Sequence, residues 1–297
     1  MSDRLQELTV FVRAAEGGSF SRAGRELNLS QPSVSRIVSE LERRLGVKLL
    51  LRSTRSVSLT DAGTVFLDRA RAVLAEIEEA EDAARGADSL RGTIRLALPM
   101  MYGVREIIPR LPDFLAAHPL MRIEMTVRDE LQNLVAEGVD IAIRLGTPAD
   151  SAYGAKKLAT LDRFLVAAPR YLADRGTPTR PADMAGHDCI IFPGGSGRGA
   201  WSFKKGNSVI SVDVRGRIIT NSAPGTLASA LAGLGIAMAS SVLCRDELEA
   251  GSLVRLLPGY ALDSIDVHAI FPAGPKPSAK ARALADYLAA NICGRSR

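Results

Sequence analysis

The stretch from Phe20 to Gly63 constrains the fold of this chain more than any other part. Gly24 lies four residues after Phe20. A glycine inside a helix costs about 1 kcal/mol relative to alanine, so its presence indicates a second helix crossing at close range. Apolar residues then recur at i, i+3, i+4 and i+7, the spacing of one helical face; they are Val34, Ile37, Val38 and Leu41. The pattern predicts two short helices joined by a tight turn, a helix-turn-helix.

A basic turn follows the second of these helices. The segment Val47 to Leu51 is a short apolar run typical of a strand, and Val57 and Leu59 have the alternation of a second strand. The turn between them carries cations at Arg52 and Arg55. We therefore expect a two-stranded wing with a positively charged tip.

The outward face of the third helix is polar and basic, with side chains that can meet the base edges and phosphates of DNA. This face comprises Ser33, Ser35, Arg36, Ser39 and Arg43. The sequence therefore predicts a DNA-binding protein. The candidate DNA contacts are Ser21, Gln31, Pro32, Ser33, Ser35, Arg36, Arg52, Ser53, Thr54 and Arg55.

These candidates divide into base readers and phosphate binders. Gln31 and Ser33 stand near the start of the third helix, where a recognition helix reaches base edges, and Gln can bond adenine in a bidentate manner. Arg36 can either read guanine or hold a phosphate, and the sequence leaves both open. For Arg43 and Arg44 a solvated surface charge is the favoured interpretation.

The composition is that of an ordinary globular chain. Of its 297 residues 46% are apolar and 24% charged, and a formal net charge of +5 allows a polyanionic partner without requiring one. The cysteines and histidines are scattered without ligand spacing, so we expect no metal site and no cofactor. No run approaches the roughly 18 uncharged apolar residues of a membrane span. We expect a cytoplasmic protein with no membrane partner.

A long helix follows the wing. Thr60 and Asp61 can cap its start, and the helix should run to about Gly86. Two sets of residues spaced by seven form an a/d seam; they are Phe66, Val73 and Ala80, and Ala70, Ile77 and Ala84. We favour a dimer seam over packing on the helix's own domain.

From Gly92 onward strands and helices alternate, which predicts an α/β sheet with crossovers. The strands are expected near residues 94–98, 122–127, 140–145, 164–168, 189–192, 201–212 (a hairpin), 214–220, 236–239, 253–257 and 265–271. The helices are expected after residue 103 and at 131–137, 225–234 and 278–292.

Five blocks in the first 63 residues resemble the LysR-type transcriptional regulators. They span residues 18–24, 29–36, 41–46, 52–55 and 59–63, and two further blocks at 140–146 and 232–237 are similar to the sensor domain of that family. The resemblance covers essentially the whole chain.

The resemblance implies an α/β fold class. An N-terminal winged helix-turn-helix (residues 1–59) would precede a long linker and dimerisation helix (60–91) and a C-terminal two-lobed effector domain like a periplasmic binding protein (92–297). Lobe I would comprise residues 92–161 and 266–297, and lobe II residues 162–265. The implied partners are double-stranded DNA with a promoter inverted repeat, a small-molecule effector, further copies in a homodimer or homotetramer, and RNA polymerase as an optional partner.

Three positions depart from the family pattern. Leu50 stands where an aromatic residue is common, and Ser56 where a second basic residue is common, so the wing should hold phosphate less strongly. Met101 replaces the Ser or Thr that bonds an effector carboxylate in many relatives. Either the effector is more apolar than usual, or backbone N–H groups supply the hydrogen bonds.

The expected effector site rests on two helix starts, which present unpaired N–H groups and a partial positive charge to carboxylates. The candidate residues are Pro99, Met100, Met101, Tyr102, Gly103, Arg144, Phe164, Asn221 and Ser222. If the two loops face each other across the cleft, the effector would be a small organic acid; an aromatic metabolite is the other class considered. Other roles stay open, since Arg144 suits a structural pair at the lobe hinge, Asn221 and Ser222 suit helix capping, and the Met100 to Tyr102 loop suits a pocket wall.

Three other functions compete with this interpretation. An enzyme is disfavoured because the sequence has no nucleophile elbow, phosphate-binding loop or catalytic histidine arrangement. A transport-linked binding protein is disfavoured by the DNA-binding segment and the lack of a secretion signal. An architectural DNA binder without a ligand would show no thermal response to metabolites.

Replacing Arg55 tests the role assigned to the wing. Arg55→Ala should weaken binding to all DNA sequences alike and reduce the slope of log affinity against log salt by about one unit, because one phosphate contact is lost. Binding isotherms at several salt concentrations measure both quantities. A change of sequence preference without loss of affinity would contradict a phosphate-binding role.

Overall fold

The computed structural model describes residues 3–52, 57–85, 90–129, 134–135, 137–146, 153–192, 199–272, 274 and 277–292. In the N-terminal part these residues form helices and a small antiparallel sheet. The elements are α1 (Arg4–Gly17), α2 (Phe20–Leu27), α3 (Gln31–Leu45), β1 (Leu50–Arg52), β2 (Val57–Leu59) and α4 (Asp61–Arg85). Leu51 of β1 pairs with Ser58 of β2, which confirms the predicted wing.

Serine side chains define where α2 and α3 begin. Of the two serines that could cap α2, Ser19 does so by accepting the backbone N–H of Arg22 at 3.4 Å. Ser30 caps α3 by accepting the N–H of Ser33 at 3.3 Å. These bonds satisfy backbone donors that the first helical turn leaves unpaired.

The close crossing expected at Gly24 is present. A Cβ atom at Gly24 would lie 2.6 Å from the carbonyl oxygen of Leu29, which is too short for any side chain. The N–H of Leu29 also donates to the carbonyl of Gly24 at 2.8 Å. Any larger residue at position 24 would therefore push the turn away from α2.

The first residues of the α4 seam pack against the winged domain of the same chain. This corrects the prediction that the whole seam contacts a second copy. The ring of Phe66 meets that of Phe11 edge-to-face at 5.2 Å, and Ala70 is 2% exposed in the core of the winged domain. Val73 is 43% exposed and Ala80 is also exposed. A seven-residue repeat specifies a buried stripe but not what buries it, so the dimer seam stays a prediction for the later residues; the side chain of Ala84 lies outside the described ones.

A buried carboxylate fastens the wing to α3. Glu42 is 3% exposed, and its Oε1 accepts the backbone N–H groups of Leu49 and Leu50, both at 3.0 Å. Its Oε2 accepts from Nζ of Lys48 at 2.8 Å. Burial alone would raise the pKa of Glu42, but the Lys48 ammonium and the two N–H groups outweigh it and hold the pKa below its ordinary value.

Lobe I is built on a five-stranded mixed sheet. Its strands are β3 (Arg91–Leu98), β4 (Leu120–Val127), β5 (Ile141–Leu145), β6 (Gly154–Leu161) and β15 (Ile265–Phe271), in the order β4-β3-β5-β15-β6. The strands β3, β4 and β5 run parallel, and β15 runs antiparallel to β5 and β6. Helix α10 (Ala279–Asn291) packs its Leu284 and Leu288 into this core.

The single helix expected after Gly103 is broken in the structure. The segment consists of α5 (Met100–Tyr102), a π-helical turn (Gly103–Ile107), a 3-10 turn (Ile108–Arg110) and α6 (Leu111–Ala117). Pro109 and Pro112 lack the N–H that a continuous helix needs, which explains the interruptions. Part of the helix expected at 131–137 lies outside the described residues; Leu134 and Val135 are in a turn.

Lobe II contains a second five-stranded sheet and a three-stranded one. The larger has the order β11-β8-β12-β7-β13, from β7 (Arg163–Ala167), β8 (Asp188–Ile191), β11 (Arg215–Ile219), β12 (Ile236–Ser240) and β13 (Val254–Leu256). The smaller has the order β10-β9-β14, from β9 (Ala200–Lys205), β10 (Ser208–Asp213) and β14 (Ala261–Leu262). The helices are α7 (Pro169–Arg175), a 3-10 turn (Pro181–Gly186), α8 (Ala223–Leu231) and α9 (Ser241–Glu249). Four of these elements, β6, α7, α9 and β14, were not predicted from the sequence.

Ion pairs and hydrogen bonds tie the two lobes together beside their crossover strands. Arg105 of lobe I pairs with Glu247 of lobe II at 3.0 Å and donates to the carbonyl of Leu243 at 2.8 Å. In the opposite sense, Arg245 of lobe II pairs with the buried Glu106 of lobe I at 3.0 Å. These reciprocal contacts favour a closed arrangement of the lobes.

Glu16 joins three parts of the molecule. Its side chain, 10% exposed at the end of α1, contacts Arg13 at 3.3 Å, Arg71 of α4 at 2.9 Å and Arg95 of β3 at 2.8 Å. The backbone N–H of Arg95 also donates to Asp140 at 2.8 Å. Burial lowers the pKa of Arg95, but the carboxylates around it, Glu16 first, raise it above its ordinary value. This charge cluster lies at the edge of a cleft of about 980 Å³ between the winged domain, α4 and lobe I.

Glu42→Gln should loosen the wing. We expect the free energy of unfolding of the winged domain to fall by about 1–3 kcal/mol at pH 7, because a neutral amide oxygen is a weaker acceptor for two N–H groups. A carboxylate with a lowered pKa contributes fully above its unfolded-state pKa and less as the pH falls through the folded-state value. The difference in the free energy of unfolding between wild type and Glu42→Gln should therefore shrink as the pH falls below 4.5, the ordinary pKa of a glutamate.

Hydrogen exchange at the amides of Leu49 and Leu50 measures this effect, since the single tryptophan, Trp201, reports on lobe II. Glu40→Gln is the matched control, because Glu40 makes a 3.6 Å pair with the exposed Arg36. Equal exchange rates in both variants would show that Glu42 does not hold the wing.

Glu16→Gln should loosen the contact between the winged domain and lobe I. Arg71 and Arg95 are 16% and 24% exposed, so removing the shared anion leaves two partly buried cations and lowers the stability of the junction by about 1–3 kcal/mol. Faster hydrogen exchange is expected in peptides covering the end of α1 and the start of β3. Glu26→Gln is the control, since Glu26 lies 4.0 Å from Arg95; an equal response from both variants refutes the special role of Glu16.

Candidate functional site

The first turn of α3 presents the predicted base-reading residues. Gln31 and Pro32 are exposed and Ser33 is half-buried, with its hydroxyl 2.8 Å from that of Ser30. Ser21 is exposed at the start of α2, and Ser35 is half-buried on α3. The opposite face of α3 is buried in the domain core. The arrangement leaves a polar edge free to enter a groove.

Arg36 lies one turn further along α3 and is 70% exposed. Its pair with Glu40 at 3.6 Å is on the surface, and exposed pairs stabilise a protein by about 0–1 kcal/mol. A phosphate or a guanine edge could therefore replace Glu40 at small cost. The geometry leaves both roles of Arg36 open.

The two arginines next along α3 have different environments. Arg44 donates from Nε to the buried Glu7 at 3.1 Å and so ties α3 to α1. The sequence favoured a solvated surface charge for Arg44, so this structural ion pair was not predicted. Its partner Glu7 was not predicted either, although a carboxylate among the apolar residues of α1 was a signal for a buried pair. Arg43 is exposed.

The wing tip falls partly outside the described residues. Arg52 ends β1, but its side chain is not among the described ones. Ser53, Thr54, Arg55 and Ser56 lie outside the described ranges. Their assignment to phosphate contacts stays a prediction. Leu50, which stands where an aromatic residue is common in the family, is 2% exposed in the core of the winged domain.

The two helix starts expected to bind an effector face each other, and a carboxylate of the chain lies between them. Asp129 follows β4 in lobe I. Its Oδ1 accepts the N–H of Met100 in lobe I at 2.8 Å, and its Oδ2 accepts the N–H of Ala223 in lobe II at 3.1 Å. Asp129 was not predicted as a site residue, although its position just after a parallel strand was a usable signal, since ligands of α/β sheets bind at the carboxyl ends of strands.

The Pro99 to Gly103 loop divides between the cleft and the cores. Pro99 precedes α5 as its N-cap residue, and Met100 is 39% exposed. Met101 is half-buried and packs against the core of lobe II. Tyr102 is 4% exposed in the core of lobe I, and burial first, then the charge of Glu106, raises the pKa of its hydroxyl. A Cβ at Gly103 would lie 2.7 Å from the Leu98 side chain, so this position is a packing contact.

Phe164 lies in the core of lobe II, contrary to its expected place in the effector site. It is 7% exposed, and the guanidinium of Arg255 lies 4.7 Å from the centre of its ring. Asn221 is exposed at the start of α8. Ser222 caps that helix by accepting the N–H of Gly225 at 3.2 Å, so the capping role applies to Ser222.

Arg144 lies on β5 and is half-buried. Within the described part of the chain its side chain makes no hydrogen bond or ion pair, so the expected structural pair at the hinge is not formed there. Burial lowers the pKa of Arg144, and the charges of Glu137 and Asp129 oppose that shift. The hinge bond is made instead by Arg163, whose Nε donates to the carbonyl of Asp263.

Among the described residues, no group of three or more His, Cys, Asp and Glu side chains could hold a metal ion. Cys189 and Cys244 are buried, and burial raises the pKa of each thiol to about 12. Both are therefore protonated packing residues at neutral pH. None of the described helices is both long and apolar enough to cross a membrane.

Comparison with known proteins accounts for both halves of the chain. A family described as "LysR substrate binding domain" matches residues 87–292, and one described as "Bacterial regulatory helix-turn-helix protein, lysR family" matches residues 5–64. The HTH-type transcriptional regulator CrgA of Neisseria meningitidis serogroup C is 32% identical over 307 residues, covering 99% of this chain and 100% of that protein. The HTH-type transcriptional regulator PtxR of Pseudomonas aeruginosa is 32% identical over 285 residues, covering 96% of this chain and 91% of that protein.

The solved structures agree with the sequence matches. The structure of CrgA, a LysR-type transcriptional regulator from Neisseria meningitidis, aligns with a TM-score of 0.57 at 30% identity, covering 98% of this chain and 97% of that one. The winged domain, the long helix and the two-lobed domain are all within the aligned part. The chain therefore belongs to the LysR family of transcriptional regulators.

Proposed function

We propose that this regulator binds an inverted repeat in promoter DNA as a homodimer or homotetramer and responds to a small molecule held between its two lobes. Residues 1–59 would form the DNA-binding domain, 60–91 the linker and dimerisation helix, and 92–297 the effector domain. The observation that carries the proposal is the first turn of α3, where Gln31 and Pro32 are exposed while Val34 one turn later is fully buried.

The DNA contacts would combine base reading with phosphate binding. Gln31 can accept one hydrogen bond from an adenine and donate another to the same base, and Ser33 tolerates several bases. Arg36 and the wing arginines, Arg52 and Arg55, would supply positive charge to the backbone and fix the orientation of the domain. A second copy, joined through α4, would place a second recognition helix on the other half of the repeat.

The effector would act by shifting a population of arrangements. A ligand that binds one lobe arrangement better than another biases the assembly and so the spacing of its DNA-binding domains. A ligand with equal affinity for both arrangements would change nothing. A small organic acid and an aromatic metabolite are the two effector classes that the sequence favours. Contact with RNA polymerase would be a further step at promoters where the protein activates.

An enzymatic function has less support. The relatives described above are named as transcriptional regulators. The buried, protonated state of Cys189 and Cys244 offers no activated thiol. We therefore propose a binding function without catalysis.

Gln31→Ala tests base reading. Loss of a bidentate contact should weaken binding to the cognate repeat by about 5- to 100-fold and abolish discrimination at one base pair per half-site, with non-specific binding unchanged. Gel-shift titration with the repeat and with single-base variants measures both effects. Gln6→Ala, at an exposed glutamine on α1, is the control. An equal loss on every sequence would show that Gln31 does not read a base.

A further inference from the structure

Asp129 makes the hydrogen bonds that an effector carboxylate would otherwise make. One oxygen accepts from Met100 and the other from Ala223, at 2.8 Å and 3.1 Å, so one side chain connects lobe I to lobe II. The two N–H groups belong to residues 123 positions apart in the chain. A carboxylic acid in solution offers the same pair of acceptors, and it could reach these donors only by displacing Asp129.

The displacement would be unfavourable because Asp129 is tethered. A side chain held beside its donors loses less freedom on binding than a free ligand does, which corresponds to a high effective concentration. A second carboxylate beside the first would also meet like-charge repulsion. An acid at ordinary concentrations therefore competes poorly for this position.

The surroundings of Asp129 fit an uncharged ligand. Arg144 is half-buried and forms no ion pair in the described part of the chain, and its charge opposes that of Asp129 across the same region. The nearby Met100 is 39% exposed and apolar, and the half-buried Met101 packs against the core of lobe II. The Arg144 guanidinium is opposed by the carboxylates of Glu137 and Asp129, so it offers little uncompensated positive charge to an acid.

We propose that Asp129 is an internal carboxylate ligand that holds the two lobes together and excludes carboxylate effectors from the two helix starts. The proposal rests on the effector site proposed between the lobes and narrows its specificity. The effector class it predicts is an uncharged, largely apolar molecule, which retains Asp129 as a hydrogen-bond acceptor and packs on Met100. A small organic acid is then excluded from this position in the wild-type chain.

Removal of the side chain should convert the position into a binding site for small acids. The full-length chain and Asp129→Ala are melted with acetate or with chloride at the same ionic strength, and Trp201 fluorescence reports the unfolding of lobe II. In Asp129→Ala, acetate at ten times its Kd should raise Tm by about 3 °C in a saturable manner, while acetamide has no effect. For wild type and for Asp129→Asn, the Tm in acetate should equal the Tm in chloride. Saturable stabilisation of wild type by acetate, or none of a folded Asp129→Ala, overturns the proposal.

A second measurement covers the case in which Asp129→Ala does not fold. Hydrogen exchange in wild type should show protected amides at Met100 and Ala223, and Asp129→Asn should lose protection at one of them, because an amide offers one acceptor oxygen instead of two. Unchanged protection at both positions refutes the bridge. Asp113→Asn, on the exposed side of α6, is the control.

Gel-shift assays on the same samples separate this proposal from the proposed function. If acetate stabilises Asp129→Ala but the wild-type chain binds no duplex DNA, the role of Asp129 stands and the regulatory function fails. If the chain binds DNA and acetate stabilises wild type as strongly as the variant, the regulatory function stands and the role of Asp129 fails.

Discussion

A carboxylate that loses contact with water must be met by N–H donors or cations, and carboxylates bonded in this way join separate parts of this molecule. Glu42 fastens the wing to the recognition helix through two backbone N–H groups. Glu16 gathers arginines from α1, α4 and β3. Asp129 joins the lobes. Each of these acids contacts groups from separate elements at once, so its removal leaves more than one donor without that acceptor.

Sequence patterns predicted local features of this fold well and distant contacts poorly. The two strands of the wing, the close backbone approach at Gly24 and most strands of the effector domain followed from spacing and residue type. The partners of Glu16 and Asp129 did not, since Arg95 is 79 residues from Glu16 and Ala223 is 94 residues from Asp129. A repeat of 2 or 3.6 residues specifies which face is buried but carries no information about the partner, as Phe66 illustrates by packing on its own domain.

In the candidate site, too, local features could be predicted from the sequence and distant contacts could not. The exposed positions of Gln31 and Arg36 followed from the apolar face of α3, because one face of a helix determines the other. The effector loops were located by their helix starts, but the cleft's composition depends on how the lobes close. That closure places Asp129 between N–H groups of both lobes, whereas the packing within lobe II places Phe164 in a core.

The three parallel strands of lobe I have a mechanical consequence. Arg95 on β3 is level with Glu124 on β4, and Met100 and Asp129 follow five residues later, just beyond the ends of the same two strands. A step of five residues spans about 16 Å of stiff sheet. One end touches Glu16 and the other bounds the cleft. The contact with the winged domain and the contact with lobe II are thus carried by the same two strands of lobe I.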